Sequence, residues 1–434
     1  MKSIVGNQRR PSSLVRWLLL TTFLFAVILP AELARSAFAE TKASGGDAKP
    51  PIRIGFVASL TGNNAADGQA MLNGINLFLD EAHNKISGRE VKLVVIDDEC
   101  SPVKCVGKLK KAFENNEVDV LAGFLLSPIL YAAAPVIEQA NVPLVCSASG
   151  ADDLTQRHEK RWLTRAARSN SQPTQALGDY AAKQLHYKKV VTVACDFAYG
   201  WEAVGGFQKS FEDAGDQVVQ KLWAPMDSQD YSTLIKSIRK DADAAFICMA
   251  GKSSLLFPKQ YKEYGPQLPV IGAEGTFLEP ILPTVGEDLV GGIGSMSYTA
   301  EARNSANEKF VKAYVEKYGQ EPDYISEACY TTGRLISEAI DSLKGDVSDK
   351  DKLMVALRHA PVDRDPRGPM KIDSYGNPVE NIYICKVEKV KNRYQNSVIY
   401  TYPMISQFWK WTPDEFLKQP HYSKSEPPCA HCSP

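Results

Sequence analysis

Apolar runs and helical stretches alternate along most of the chain. Residues 52–59 (IRIGFVAS) and 91–96 (VKLVVI) are apolar enough to predict buried strands. Between them Met71, Leu72, Ile75, Leu79 and Ala82 recur at helical spacing. Strands are predicted again at 119–122, 143–146, 189–195, 244–249, 269–272 and 289–296, with helical patterns at 172–185, 201–214 and 231–239. Strands that are apolar throughout, each followed by a helix, predict α/β architecture with parallel sheets covered on both faces. After Met296 the rhythm changes: long helices are predicted over 304–318, 325–343 and 350–359, and two antiparallel strands within 381–402 turn around Lys391, Asn392 and Arg393. A closed barrel of eight units and two open sheets both suit the first part. A barrel would not normally finish this way, and two lobes with the chain crossing back between them fit better.

In open parallel sheets, ligands collect beyond the carboxyl ends of the strands. Those ends, at 59–62, 123–127, 147–150, 196–200, 250–253 and 273–275, are rich in small residues, hydroxyls and helix starts. Backbone N–H groups in such a setting suit an anion, typically a carboxylate.

The first forty residues have a different character. Lys2, Arg9, Arg10 and Arg16 precede an apolar run over 17–29, and Ala37-Phe38-Ala39 places small residues where a signal peptidase reads. This predicts a signal peptide over 1–39, cleaved before Glu40 for export to the periplasm. The run is shorter than the ~20 residues of a membrane span. Cleavage removes five of the 50 Lys and Arg and one of the 51 Asp and Glu, leaving 45 against 50, a net charge of −5. Without a basic excess, nucleic acid is not an expected partner.

Export bears on the nine cysteines, because oxidising compartments permit disulfides. Cys100 and Cys105 share one short segment and are the disulfide candidates. Cys429 and Cys432 bracket Ala-His in the tail, without the second cluster a zinc site needs. Cys146, Cys195, Cys248, Cys329 and Cys385 sit in apolar runs and read as packed thiols. No nucleophile elbow, phosphate loop or H-E-x-x-H motif occurs. The expectation is a binding protein without metal or cofactor, not an enzyme.

The residues then reach a family. Ile54-Gly55-Phe56-Val57-Ala58-Ser59-Leu60-Thr61-Gly62, followed by Gly68 and Gly74-Ile75-Asn76-Leu77, resembles the leucine/isoleucine/valine-binding proteins of bacterial importers. Asp97-Asp98-Glu99, the turn at 123–127, Asn141-Val142-Pro143, Tyr199-Gly200 and Gly272-Ala273-Glu274-Gly275 carry the resemblance to the last strand. It implies a type I periplasmic binding fold: two Rossmann-like lobes with parallel central sheets, joined by three crossovers. Lobe 1 would comprise 51–166 and 298–369, lobe 2 would comprise 167–297 and 370–402, and 403–434 would form a C-terminal extension. A monomer would close on a small carboxylate, an aromatic acid or an amino acid, and deliver it to the permease of an ABC importer. The alternative is a sensing subunit of the same fold, signalling through a membrane partner.

Carried over by position, Ser127 matches a hydroxyl that binds the ligand carboxylate, and Ala148 supplies backbone contacts with Ser149 beside it. Gly150 stands where amino-acid binders have a Thr or Ser donor. Tyr199 matches a cleft aromatic, and Glu274 matches the carboxylate that pairs with a ligand ammonium. Lys252 lies at a position often aromatic, and Phe124 would wall the cleft. Each has another reading: Ser127 as a helix cap, Tyr199 packed on Trp201, Glu274 as a loop carboxylate, Phe124 as core. The aromatic extension resembles that of relatives importing aromatic acids, whereas Glu274 favours an ammonium.

Overall fold

The first apolar run becomes β1 (Ile52–Ala58), buried except at Arg53. In this computed structural model residues 49–432 are described, apart from Glu159 and Asp363, so the expected signal peptide lies outside the described residues. The first sheet is completed by β2 (Lys85–Ile86), β3 (Arg89–Asp97), β4 (Val120–Gly123), β5 (Leu144–Cys146) and β6 (Leu163–Arg165). Its order is β2-β3-β1-β4-β5-β6, parallel except for the β2–β3 pair. Helices α1 (Ala65–Glu81), α2 (Pro102–Glu114) and α3 (Ser127–Ala140) connect its strands.

The second sheet contains β7 (Lys189–Cys195), β8 (Gln217–Ala224), β9 (Ala244–Cys248), β10 (Val270–Ala273) and β11 (Ile293–Met296), then β12 (Met370–Ile372), β13 (Pro378–Val390) and β14 (Arg393–Ile405). Its order is β12-β13-β11-β10-β9-β7-β8, and β14 pairs antiparallel with β13 off this path. Helices α4 (Ser171–Lys183), α5 (Ala198–Asp213), α6 (Ser232–Lys236), α7 (Ser253–Tyr264) and α8 (Leu282–Leu289) belong to this half. The chain then returns: α9 (Ser305–Tyr318), α10 (Tyr324–Ser342) and α11 (Lys350–Arg358) pack on the first half, α10 against α1 and β5. It therefore passes between the sheets after β6, after β11 and before β12.

A buried charge cluster marks the third passage. Arg367, 1% exposed, donates to Glu327 of α10 and to Glu380 of β13 (2.8 Å), and pairs with Asp365 (3.2 Å). One guanidinium thus ties a helix of the first half to a strand of the second.

Several elements depart from the sequence reading. Strand β8 is half-exposed, and Gln217, Gln220 and Lys221 break up its apolar pattern. Strand β6 is only three residues long. Leu289 ends α8 instead of starting a strand, and the helix expected at 231–239 shortens to α6. The disulfide expected between Cys100 and Cys105 is absent, since both thiols are unpaired. Ser101 caps α2 and Pro102 opens it, which turns Cys105 into the core, whereas the Cys100 thiol donates to the Thr61 carbonyl (3.3 Å). Cys429 and Cys432 form the disulfide instead.

The extension lies on both halves. The Gln407 amide donates to the Thr155 carbonyl (2.9 Å), and Lys410 pairs with Asp179 of α4 (2.7 Å). Helix α12 (Pro413–Leu417) buries Phe416 among Phe408, Trp411 and Tyr422, while Arg157 donates to the Phe416, Gln419 and Pro420 carbonyls. Tyr422 lies flat on Gly205 of α5, where a Cβ would sit 2.4 Å from its ring.

Candidate functional site

Between the two sheets, at the carboxyl ends of their parallel strands, lies a cavity of about 30 Å³. Sites that hold drug-sized ligands measure roughly 300–1,000 Å³. The cleft is thus shut in this conformation, and a ligand enters only after the halves separate or side chains swing. Next to the lining residue Asn64, the Asn63 amide donates to Asp227 of the other half.

The amino ends of several helices meet at this cavity. Asn64 and Asp67 come from the start of α1, Leu126 and Ser127 from α3, and Asn170 from α4. Phe197 and Tyr199 come from the start of α5, and Tyr324 and Ile325 from α10. Each amino end carries a partial positive charge and unpaired N–H groups, so their convergence favours an anion. Leu125 and Leu278 add apolar wall.

Of the residues expected from the sequence, Ser127, Ala148 and Tyr199 line the cavity. Ser127 does not cap α3, which makes no side-chain cap bond. Its oxygen accepts from the Asn170 amide (3.0 Å), which leaves the hydroxyl proton to donate elsewhere. Tyr199 accepts from the Gly275 N–H (3.2 Å), so its phenol likewise keeps a proton to give; burial holds that proton on well above the usual tyrosine range. Ala148 has both backbone groups occupied, its N–H on the Phe124 carbonyl and its carbonyl on Arg168.

The others stand outside the cavity. Ser149 is buried behind Ser127, its hydroxyl 3.5 Å from that of Ser127. Gly150 is held to glycine by close approach: a Cβ there would lie 2.2 Å from the Asn170 side-chain oxygen. Asn170 therefore fills the space of the Thr or Ser expected at Gly150. Phe124 is fully buried in the core of the first half, its carbonyl accepting from Ala148 and Ser149, and it does not wall the cleft. Lys252 is exposed at the start of α7; its neighbours Ala250 and Gly251 line the cavity instead.

Glu274 is buried but already partnered. One oxygen accepts from Nε of Arg168, the other from the N–H and hydroxyl of Ser297 (2.9 Å each). Arg168, 1% exposed, lines the cavity and lies 4.7 Å over the Tyr324 ring. Burial alone would lower its guanidinium pKa, yet Glu274 and its aromatic neighbours hold it above its ordinary value. Its Nη1 donates to the Ala148 carbonyl (3.2 Å), and Nη2 has no acceptor among the described residues. Behind this wall Glu202 of α5 accepts from Tyr131 of α3 (2.7 Å) and from Asn170 (2.5 Å), joining the halves; burial and Asp152 push its carboxyl well up.

Arg168, Asn170, Tyr324 and Asp67 were not foreseen. Arg168 and Asn170 follow β6, a strand too short to show as a periodic run, so its carboxyl end went unrecognised. The other two open helices whose amino ends only the tertiary fold brings together.

Residues 51–392 match the family model described as periplasmic binding protein, and the chain belongs to that family. It is 25% identical over 361 residues to Leu/Ile/Val-binding protein homolog 6 of Brucella melitensis, covering 81% of this chain and 91% of that one. An ABC transporter substrate-binding protein from Sphaerobacter thermophilus superposes with a TM-score of 0.77 at 30% identity, over 82% of this chain and 99% of that one. The solute binding protein of an ABC transporter from Rhodopseudomonas palustris BisB5, in complex with 3,4-dihydroxy benzoic acid, superposes at 28% identity with a TM-score of 0.77, over 82% and 98% of the two chains. The fold is the two-lobed type I periplasmic binding fold, and these proteins bind substrates and are not enzymes.

Proposed function

We propose that the protein captures a small aromatic carboxylic acid between its lobes and hands it to the permease of an ABC importer. The observation that carries this reading is the state of Glu274. Its charge is met by Arg168, Ser297 holds its other oxygen, and it stands outside the cavity, so it is not presented to a ligand ammonium. The same pairing leaves Nη2 of Arg168 without an acceptor among the described residues, on a cavity that Ser127 and Tyr199 also line. Three donors among helix amino ends suit a carboxylate, and Phe197, Tyr324, Leu125 and Leu278 suit a ring. The 3,4-dihydroxybenzoic acid in the Rhodopseudomonas palustris protein is a ligand of this chemistry.

The lobes are assigned as 51–166 with 298–369 and 167–297 with 370–402. Residues 1–39 are assigned as an export signal to the periplasm, and the mature chain as a monomer. Because the cavity is shut, the resting protein opens and the acid draws it closed; contacts made only when closed shift the population that way. Isothermal titration with benzoate, 4-hydroxybenzoate, leucine and isoleucine tests the reading, with small-angle scattering to follow compaction. Binding of the aromatic acids with a more compact particle is expected. Tight binding of leucine or isoleucine, with no heat from either aromatic acid, would overturn it.

A further inference from the structure

Resting on that reading, we infer that Asp67 accepts a hydrogen bond from a ring hydroxyl of the bound acid, so that the site selects hydroxylated aromatic acids over unsubstituted ones. Among the described residues Asp67 is the one acidic side chain lining the cavity. One of its oxygens accepts from the Asn64 amide (3.0 Å), and the other has no donor among the described residues. It does not cap its own helix, since no side chain caps the start of α1. No ion pair joins it to Arg168, whose carboxylate partner is Glu274.

The cavity thus has two polar demands of opposite kind. Arg168, Ser127 and Tyr199 offer hydrogens and want an anion, whereas Asp67 offers an oxygen and wants a donor. Leu125, Leu278, Phe197 and Tyr324 line the same cavity and suit an apolar ring. A carboxylate placed at Asp67 would meet its charge, so a ligand puts its acid group at Arg168. Burial raises the Asp67 carboxyl to about 6, opposed by the Asn64 hydrogen bond, so at neutral pH it is mostly ionised and accepts. A phenolic O–H supplies the missing donor as a charge-assisted hydrogen bond. An acid without the hydroxyl leaves that oxygen without a donor from the ligand, and a site built to hydrogen-bond a hydroxyl rejects the analogue lacking it.

The test is isothermal titration of the full-length mature protein with benzoate, 4-hydroxybenzoate, 3,4-dihydroxybenzoate, 4-methoxybenzoate and 4-aminobenzoate. At least one hydroxybenzoate should bind roughly 10- to 150-fold tighter than benzoate, and the methoxy acid, which cannot donate, should lose that gain. Asp67→Ala should abolish the preference. Equal affinities in the wild type, or a preference that survives Asp67→Ala, would overturn the assignment while leaving the aromatic-acid reading standing. A preference for the amino acid over both hydroxy acids would also overturn it. If a folded wild type binds none of these acids, the proposed function itself fails. The wild-type series decides the matter even if Asp67→Ala does not fold.

Discussion

Arg168 and Glu274 form a buried ion pair across the wall of the cleft, with side chains 2% and 4% exposed. On the proposed function the pair sets what the cleft can hold, because it cancels the carboxylate that would attract an ammonium and leaves Arg168 to meet an acid. Arg168→Met leaves Glu274 buried without its counter-ion, which should destabilise the fold by about 3–5 kcal/mol. It should also weaken binding of the proposed aromatic acid by about 2–5 kcal/mol. The double variant Arg168→Met/Glu274→Met should regain much of the folding stability without regaining the ligand. Urea unfolding and titration calorimetry on the same samples separate the two effects; recovery of binding in the double variant would remove Arg168 from the ligand site.

Among the described residues Arg367 is the one cation paired with both Glu327 and Glu380, and all three side chains are at most 1% exposed. Arg367→Met should cost about 3–5 kcal/mol, since buried carboxylates lose their partner and one must take up a proton to stay inside. Burial already raises the Glu380 carboxyl to about 7, against the pull of Arg367. Denaturant midpoints of wild type and variant measure this, and a change below about 1 kcal/mol would show that the cluster is not holding the third crossover.

Glu279 gives the protein a pH dependence of definite sign. Burial raises its carboxyl from an ordinary 4.5 to about 8, and one of its oxygens has no hydrogen-bond partner among the described residues. The folded state therefore holds a proton that the unfolded chain releases. Its contribution is fully present below pH 4.5, declines through the window up to about 8 and is gone above it. Glu279→Gln should flatten the fall in stability across that window, by on the order of 1 kcal/mol per pH unit, and leave the variant more stable at the alkaline end. Chemical denaturation across the window checks it; parallel curves for the two proteins would contradict it.

Gly205 and Tyr422 should show a change of sign. Alanine normally stabilises a helix interior over glycine by roughly 0.5–1 kcal/mol. At Gly205 a methyl group would press on the Tyr422 ring and lift the C-terminal extension. Gly205→Ala should thus destabilise the wild type and expose Lys410, Lys418 and Lys424 to trypsin. In a Tyr422→Ala background the same change should stabilise. Stabilisation in both backgrounds would mean that the extension is not docked on α5.

Much of the architecture was legible because burial on both faces writes itself into sequence. The apolar runs at 52–59, 189–195 and 244–249 became β1, β7 and β9, and the turn at Lys391 and Asn392 joins β13 to β14. Ser127 and Tyr199 reach the cavity because each stands at the start of a helix after a strand, a place that topology keeps at the cleft. Elements lacking an apolar signature were lost: β6 for its shortness, β8 for the polar residues of an edge.

What only the tertiary structure decided is which charges meet. Arg168 and Glu274 are 106 residues apart, and no periodicity relates them. Glu274 alone reads as an acceptor awaiting a cation, and the fold shows that the protein supplies that cation itself. The same holds for Gly150 and Asn170, where a missing side chain in one loop makes room for an amide from another. Apolar burial is a property of each position and survives in a linear pattern. The pairing of buried polar groups is a property of two positions at once, settled only when the chain has closed on itself.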